Sequence, residues 1–290
     1  MNVLISGADS YIGTHIEDWL KNKGHEVSCV DVRNDDWKKS DFTSFDAIIH
    51  VAGIVHRKDI TDWEIYKKVN VDLPFEIAQK AKSEKVKQFV FFSSMSVYGI
   101  DKELPNSGFI DENTPLNPTT LYGKSKAVAE EKLIPLEDEN FTVSIVRPPN
   151  VYGKNCKGGY ITNFTAITRK VPVIPMAFED AKQSMLYIDN LCELCRLIVE
   201  SKAAGVFTPQ DDISVSAVKL MDSIGKGIGK KVKFSKFFGK CVTPFLGISV
   251  VKKVYGGLEY SKESSSCFEN KYIVVPFDEA IILTVKPDEK

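Results

Sequence analysis

The sequence predicts an α/β protein: a doubly wound parallel sheet with a smaller C-terminal lobe. Strand-like runs alternate with helical ones through the N-terminal half, as in a parallel sheet covered by helices on both faces. A turn bounded by glycines, Gly7-Ala-Asp-Ser-Tyr-Ile-Gly13, separates the first strand from the first helix. An aspartate, Asp31, closes the second strand 18 residues beyond Gly13.

The elements follow in order. Asn2-Val-Leu-Ile-Ser6 is an apolar run of buried-strand length. Gly7 suits a tight turn, and Gly13 lets the helix over 11–22 pack close to the sheet. The N-terminus of that helix offers N–H groups and a positive dipole end to a pyrophosphate. A strand over 26–31 ends in a carboxylate placed to accept hydrogen bonds from ribose hydroxyls. Together these make a Rossmann-type unit, with Ser10 where the pattern usually has its middle glycine. Residues 32–45 are polar without helical periodicity and read as an irregular crossover. Strands follow at 46–51, 87–93 and 142–147, and helices near 62–83 and 120–134. Beyond Gly153 come a loop over 155–159, a helix near 160–170 and extended stretches at 171–175 and 184–188. A helix at 190–201, a strand at 205–208 and a helix near 214–228 complete the reading. We expect a dinucleotide-binding domain over 1–153, to which later segments return. Residues 154–290 would mainly form a substrate-binding lobe over the C-terminal strand ends, where open α/β sheets bind ligands.

The chemistry concentrates in Tyr122-Gly-Lys-Ser-Lys126, preceded by Ser93-Ser-Met-Ser-Val-Tyr-Gly99. Tyr122 and Lys126, four apart on a helix, share one face. An ammonium beside a phenol favours the phenolate. With a serine hydroxyl from the other segment, this pair is equipped to move a proton on or off an alcohol while a hydride leaves or reaches its carbon.

These segments resemble the extended short-chain dehydrogenase/reductase family, in particular its nucleotide-sugar epimerases, dehydratases and ketoreductases. Matching motifs run in one order from Asn2 to about Lys202. They are Gly7–Gly13, Asp31, Asp41-Phe42, His50-Val-Ala-Gly53, Asn70-Val-Asp, Ser93–Gly99, Tyr122–Lys126, Arg147-Pro-Pro-Asn-Val-Tyr-Gly153 and Leu186-Tyr-Ile-Asp-Asn190. The resemblance implies a bound NAD, lined at its pyrophosphate by Gly7, Ser10, Tyr11 and Ile12. Asp31 would hold the adenosine ribose, Asp41 and Phe42 the adenine, and Val51, Ala52 and Gly53 would pass under the cofactor. Asn70 would support the main chain there, and Pro148 would lie near the carboxamide. Asp31 favours NAD over NADP by repelling a 2′-phosphate, although Arg33, two residues on, offers that phosphate a partner. Tyr122 would be the general acid/base and Ser94 the hydroxyl on the reacting sugar oxygen, with Ser93 and Ser96 as neighbouring alternatives. Lys126 would lower the Tyr122 pKa and bond the nicotinamide ribose.

For the substrate, the resemblance implicates Ser94, Met95, Asn150 and Gln183. Dehydratases of the family carry an Asp-Glu pair where this chain has Met95-Ser96, so elimination of water lacks its acid and base. Gln183 stands where the family commonly grips the nucleotide diphosphate with arginine, and no arginine follows Arg196. Either Arg169 or a lysine substitutes, or the substrate is held more loosely. The implied reaction is 4-epimerisation of a nucleotide sugar, with 4-ketoreduction as the alternative. A non-catalytic dinucleotide sensor or scaffold is the reading from a different class. The resemblance also implies a homodimer.

A net charge of −1 does not describe a nucleic-acid binder. The chain shows no signal-peptide pattern, no apolar stretch of membrane-span length and no metal-ligand spacing, so a cytoplasmic enzyme without a metal is expected. The six cysteines are scattered. Cys192 and Cys195 form a C-x-x-C inside a helical pattern, which reads as core packing. From Lys226 to Lys253 there are eight lysines, no acidic residue, and interleaved Phe, Leu and Val. That segment reads as an anion-binding rim, as a surface for anionic lipid or a membrane-bound glycosyltransferase, or as a solvated face of the small lobe.

Overall fold

A computed structural model describes residues 1–7, 9–55, 59, 61–156 and 159–286. Ala8 of the glycine-bounded turn, and Lys157 and Gly158 of the loop after Gly153, lie outside the described residues. The chain divides into two compact units. The first comprises Met1–Gly99, Pro115–Pro148 and Leu191–Pro209. The second comprises Ile100–Thr114, Pro149–Asn190 and Gln210–Lys290.

The first unit holds strands β1 (Asn2–Ser6), β2 (Glu26–Val30), β3 (Ala47–His50), β4 (Gln88–Phe92), β5 (Thr142–Val146) and β6 (Gly205–Phe207). They form one sheet in the order β6-β5-β4-β3-β1-β2, parallel throughout. The apolar runs occupy its interior, with β3 and β4 buried along their whole length. Helices α1 (Tyr11–Asn22), α2 (Trp63–Ser83) and α3 (Leu121–Leu133) connect the strands. Ile48, Ile77, Phe89, Ala129 and Ile145 belong to one buried cluster with Phe42 and Trp37. From β1 the chain steps outward to β2 and then returns to the other side of β1. The β1/β3 boundary is therefore the switch point at which open α/β sheets leave a crevice.

Two local departures from regularity matter. Residues 32–45 form no strand beyond β2; they make a 3₁₀ turn, Asp35–Lys39, capped by the Asn34 side chain and pinned by buried Trp37. Helix α2 widens into a π turn over Lys68–Asp72. Pro74 follows that turn and has no N–H to offer the carbonyl of Asn70, so the regular ladder cannot continue through it. Such single-turn bulges recur at functional sites.

In the second unit, Val215–Ser216, Lys182–Gln183, Leu258–Tyr260 and Gly108–Ile110 make a four-stranded sheet in that order. Asn150–Tyr152 pairs in parallel with Met185–Tyr187. Helices include Tyr160–Lys170, Ala217–Gly227 and Phe277–Val285. Cys192 and Cys195, which belong to the first unit, are fully buried in the helix Ile188–Ser201. Among the described residues, no helix is long and apolar enough to cross a membrane, and no group of His, Cys, Asp or Glu is placed to hold a metal ion.

Candidate active site

The switch point is built from glycine on both sides. Gly7 has φ +91°, and a Cβ there would lie 2.6 Å from the Ala52 nitrogen. The Val51 and Ala52 amides both donate to the Ser6 carbonyl at 3.0 Å, fixing the end of β3 against the end of β1. A Cβ on Gly53 would come within 3.0 Å of Asn70 Oδ1 and 3.4 Å of Lys126 Nζ. Ser10 caps α1: its hydroxyl donates to the Gly7 carbonyl at 2.7 Å and accepts from the Gly13 amide at 3.1 Å. Serine at the usual glycine position thus braces the turn. Gly7, Ser10, Asp31, Arg33 and Val51–Gly53 line a cleft of about 290 Å³. A second, of about 620 Å³, shares Arg33, Ala52 and Gly53 and extends past Trp37 to Lys68 and Glu76 on α2. Side chains at Gly7 and Gly53 would obstruct this floor, so the residues present fit an extended dinucleotide.

Asp31 does not stand alone. Arg33 Nε donates to both of its oxygens at 2.9 and 3.0 Å, and Nη2 to Oδ2 at 2.6 Å. This pairing, with the Arg33 amide, holds the exposed carboxyl down at about 2. Arg33 also reaches Asp9 at 3.2 Å. The arginine read as a counter-argument is therefore the aspartate's own partner.

Asn70 lies in the π turn and is fully buried. Its Oδ1 accepts from the Ile54 amide, and its Nδ2 donates to the Ile54 carbonyl and to Ser125 Oγ, each at 2.9 Å. Ser125 Oγ in turn donates to the Tyr122 carbonyl at 2.8 Å. One amide side chain thereby ties the segment after Gly53 to the first turn of α3.

That turn carries Tyr122. Burial pushes its phenol up from the ordinary value, and a hydrogen bond with the Ser94 side chain opposes the rise. Ser94 caps the 3₁₀ turn Met95–Tyr98, with its Oγ accepting from the Ser96 amide at 3.1 Å and donating to Ser96 Oγ at 3.2 Å. Ser93 is engaged elsewhere, donating to Glu130. Glu130 is in turn held by Arg147, whose Nη1 donates to the Tyr98 hydroxyl at 2.8 Å. The three serines of the motif therefore differ in kind: Ser93 is committed to Glu130, while Ser94 is the one whose side chain lowers the Tyr122 phenol against burial. The Met95 amide donates to the Pro148 carbonyl at 3.0 Å, which joins the two segments flanking Ser94.

Lys126 departs from expectation. Its Nζ donates to the Phe92 carbonyl at 2.7 Å and lies 4.6 Å from the Phe91 ring centre. Burial lowers its pKa to about 7, with Glu130 opposing. Burial raises the Tyr122 phenol rather than lowering it. The i,i+4 spacing puts both residues on one face, but a strand-end carbonyl claims the ammonium.

Asp41 and Phe42 are also placed otherwise than read. Phe42 is fully buried, and its amide donates to Glu84 Oε2 at 2.6 Å. Asp41 accepts from the Thr43 amide and hydroxyl at 2.8 and 2.7 Å. Neither residue lines either cleft. A phenylalanine in the core leaves this turn its backbone alone to offer, and Glu84 has taken the Phe42 amide.

In the second unit, Asn150 is exposed at the start of its short strand. Gln183 is buried, and its Oε1 accepts from Lys102 Nζ at 2.6 Å. Lys102 Nζ also lies 4.1 Å from the Tyr160 ring centre. Burial lowers the Lys102 pKa to about 8, and no carboxylate pairs with it among the described residues. Gln183 Nε2 is a buried donor without a hydrogen-bond partner of ordinary geometry. The sequence contains no signal for this pairing, because 81 residues separate Lys102 from Gln183.

The profile of the NAD dependent epimerase/dehydratase family matches residues 3–208. The chain belongs to that family. It is an enzyme of the extended short-chain dehydrogenase/reductase type, as its motifs imply. The N-acetyl-alpha-D-glucosaminyl-diphospho-ditrans,octacis-undecaprenol 4-epimerase of Escherichia coli O157:H7 is 28% identical over 250 residues, 80% of this chain and 73% of its own. UDP-glucose 4-epimerase of Vibrio cholerae is 27% identical over 273 residues, 82% of this chain and 83% of its own. Among solved structures, a human epimerase family protein with NADPH shares the fold. Its TM-score is 0.75 at 18% identity, covering 97% of this chain and 98% of that one.

Proposed function

We propose that this family member is a 4-epimerase of a diphosphate-linked sugar, with a UDP-sugar as the substrate and NAD as the cofactor. The observation that carries the reading is the Ser94–Tyr122 hydroxyl pair. A serine hydroxyl and a phenol that both reach one sugar oxygen can share it, and the phenol can take its proton and later return it. NAD, when bound, accepts and returns the hydride at C4. Gly7, Ser10, Tyr11 and Ile12 would hold its pyrophosphate and Asp31 its adenosine ribose. Lys126 would hold the other ribose, and its ammonium would favour the Tyr122 phenolate. Asn70 would keep Gly53 and the Tyr122 turn in register. Met95 and Ser96 supply no carboxylate in place of the dehydratase pair, which argues against loss of water.

For the substrate's diphosphate, Lys102 is the cation we assign in place of the family's arginine, beside Gln183. A half-buried ammonium without a carboxylate partner is suited to an anion. Both curated relatives named above act on sugars carried by a diphosphate. The enzyme is accordingly expected to interconvert C4 epimers of UDP-hexoses or UDP-N-acetylhexosamines with only catalytic NAD. Net turnover that required stoichiometric reduced cofactor and a 4-keto-sugar would instead make it a ketoreductase. Arg33 is the observation that favours this second reading, since its guanidinium offers a 2′-phosphate a partner and NADPH commonly serves reductions.

A further inference from the structure

The lysine-rich segment folds into two short helices on the second unit. A helix over Lys236–Val242 and a 3₁₀ turn over Thr243–Phe245 lead into a helix over Ser249–Tyr255. Its base is anchored. A Cβ on Gly239 would overlap the Met176 carbonyl oxygen at 1.9 Å, so this helix lies directly on the chain there. Tyr255 is buried and donates to the Pro175 carbonyl at 3.0 Å. Between these anchors the apolar side chains face outward. Phe237 is 71% exposed, Val250 67%, and Phe238, Phe245, Leu246 and Ile248 are also exposed. Large apolar side chains this exposed and this close together are not accounted for by core packing.

The charge around them has one sign. Lys236, Lys240, Lys252 and Lys253 lie within the two helices. None of the four has an ion pair among the described residues, and the sequence from Lys226 to Lys253 contains no Asp or Glu. We propose that this segment docks on an anionic lipid bilayer, its Phe, Leu, Ile and Val side chains entering the headgroup boundary and its lysines meeting lipid phosphates. Lysine is depleted from protein–protein interface cores, whereas lysine mixed with Phe and Leu on a short apolar element suits a lipid interface. A second copy of the segment would bring more lysines and no carboxylate to meet them. Anionic lipid meets both the charge and the apolar tip, and each lysine near such a surface strengthens association roughly five-fold. The inference stands apart from the reading of the catalytic residues, none of which lies in this segment.

The test is co-sedimentation of the full chain with vesicles of phosphatidylglycerol and phosphatidylcholine, against phosphatidylcholine alone. Binding is expected to the anionic vesicles, to weaken in high salt, and to fall at least ten-fold in a Lys236→Glu/Lys253→Glu variant and in a Phe237→Ser/Val250→Ser variant. All four side chains are on the surface, so both variants should keep the melting temperature of the parent. Phe245→Trp should report insertion as a blue-shifted emission on anionic vesicles only. Failure to bind anionic vesicles overturns the proposal, as does binding that neither double variant weakens. Should light scattering show a dimer that the Phe237→Ser/Val250→Ser variant splits, with no vesicle binding by the parent, the surface is an interface between copies and the proposal is wrong.

Discussion

Replacing Lys126 by methionine separates the energetic cost of this side chain to the fold from its contribution to the site. The ammonium is almost fully buried, and its pKa falls from 10.5 to about 7. Around it, Glu130 is committed to Arg147, while burial keeps His50 neutral with a pKa of about 3. At pH 7 a shift of that size corresponds to about 4 kcal/mol of burial penalty, taken at 1.36 kcal/mol per unit and allowing for half-protonation. Methionine is similar in length and carries no charge, but it leaves the Phe92 carbonyl without its donor, at a cost of about 1–3 kcal/mol. The variant should therefore be more stable by about 2 kcal/mol, a rise in Tm of about 5 °C for a chain of this size. The sign with pH follows from a depressed lysine pKa. The penalty is complete below pH 7 and is relieved as pH rises from there toward 10.5. The advantage of Lys126→Met should thus be largest in mild acid and gone by about pH 9. Calorimetry of both proteins without added dinucleotide, across that range, measures it. A variant that melts below the parent at pH 7, or a gap that does not change with pH, would refute the reasoning. The same variant should lose epimerase activity.

Tyr122→Phe should keep the fold and dinucleotide affinity while lowering turnover by ~10²–10⁴-fold, the usual scale of general acid/base catalysis; activity within a few-fold of the parent would remove Tyr122 from the mechanism. Arg33→Ala should uncover the Asp31 carboxylate and weaken NADPH binding more than NADH binding, read by fluorescence titration; equal losses for both would mean that Arg33 does not face the 2′-position. Lys102→Met should weaken UDP binding about ten- to hundred-fold, the loss of one charge-assisted hydrogen bond, and leave uridine unaffected. Gln183→Arg in a chain retaining Lys102 should not tighten UDP binding, because a second cation would then sit where Lys102 Nζ now donates; tighter UDP binding by that variant would show that the two side chains do not share an anion.

The parts of this molecule that sequence makes legible are those whose cause is local. Val3, Leu4 and Ile5 form a buried strand because three consecutive apolar residues between turn signals have few alternatives, and they are the core of β1. Gly7 is legible for the same reason, since its left-handed backbone and its closeness to Ala52 tolerate no side chain. Short strands of the second unit, such as Gly108–Ile110 and Leu258–Tyr260, were not legible: each has three residues, and its pairing partner lies far along the chain. The helix Phe277–Val285 is not legible either, because its mostly apolar sequence carries no 3.6-residue alternation of polar and apolar faces.

The site divides along the same line. Spacing placed Tyr122 and Lys126 on one face, but spacing does not say which acceptor a long side chain will reach. In the fold the nearest strong acceptor for Lys126 is the carbonyl at the end of β4, so the lysine and the phenol are each shifted by burial instead of by one another. A cofactor ribose that drew the Lys126 ammonium off Phe92 would have to offer it at least an equal hydrogen bond. That exchange would couple dinucleotide binding to the proton affinity of Tyr122. On this view the low phenol pKa expected of such a pair is a property of the loaded enzyme, supplied jointly by Lys126 and the bound nicotinamide. On the proposed reading, the protein's own contribution is the Asn70–Ser125 contact, which ties down the first turn of α3 that carries Tyr122.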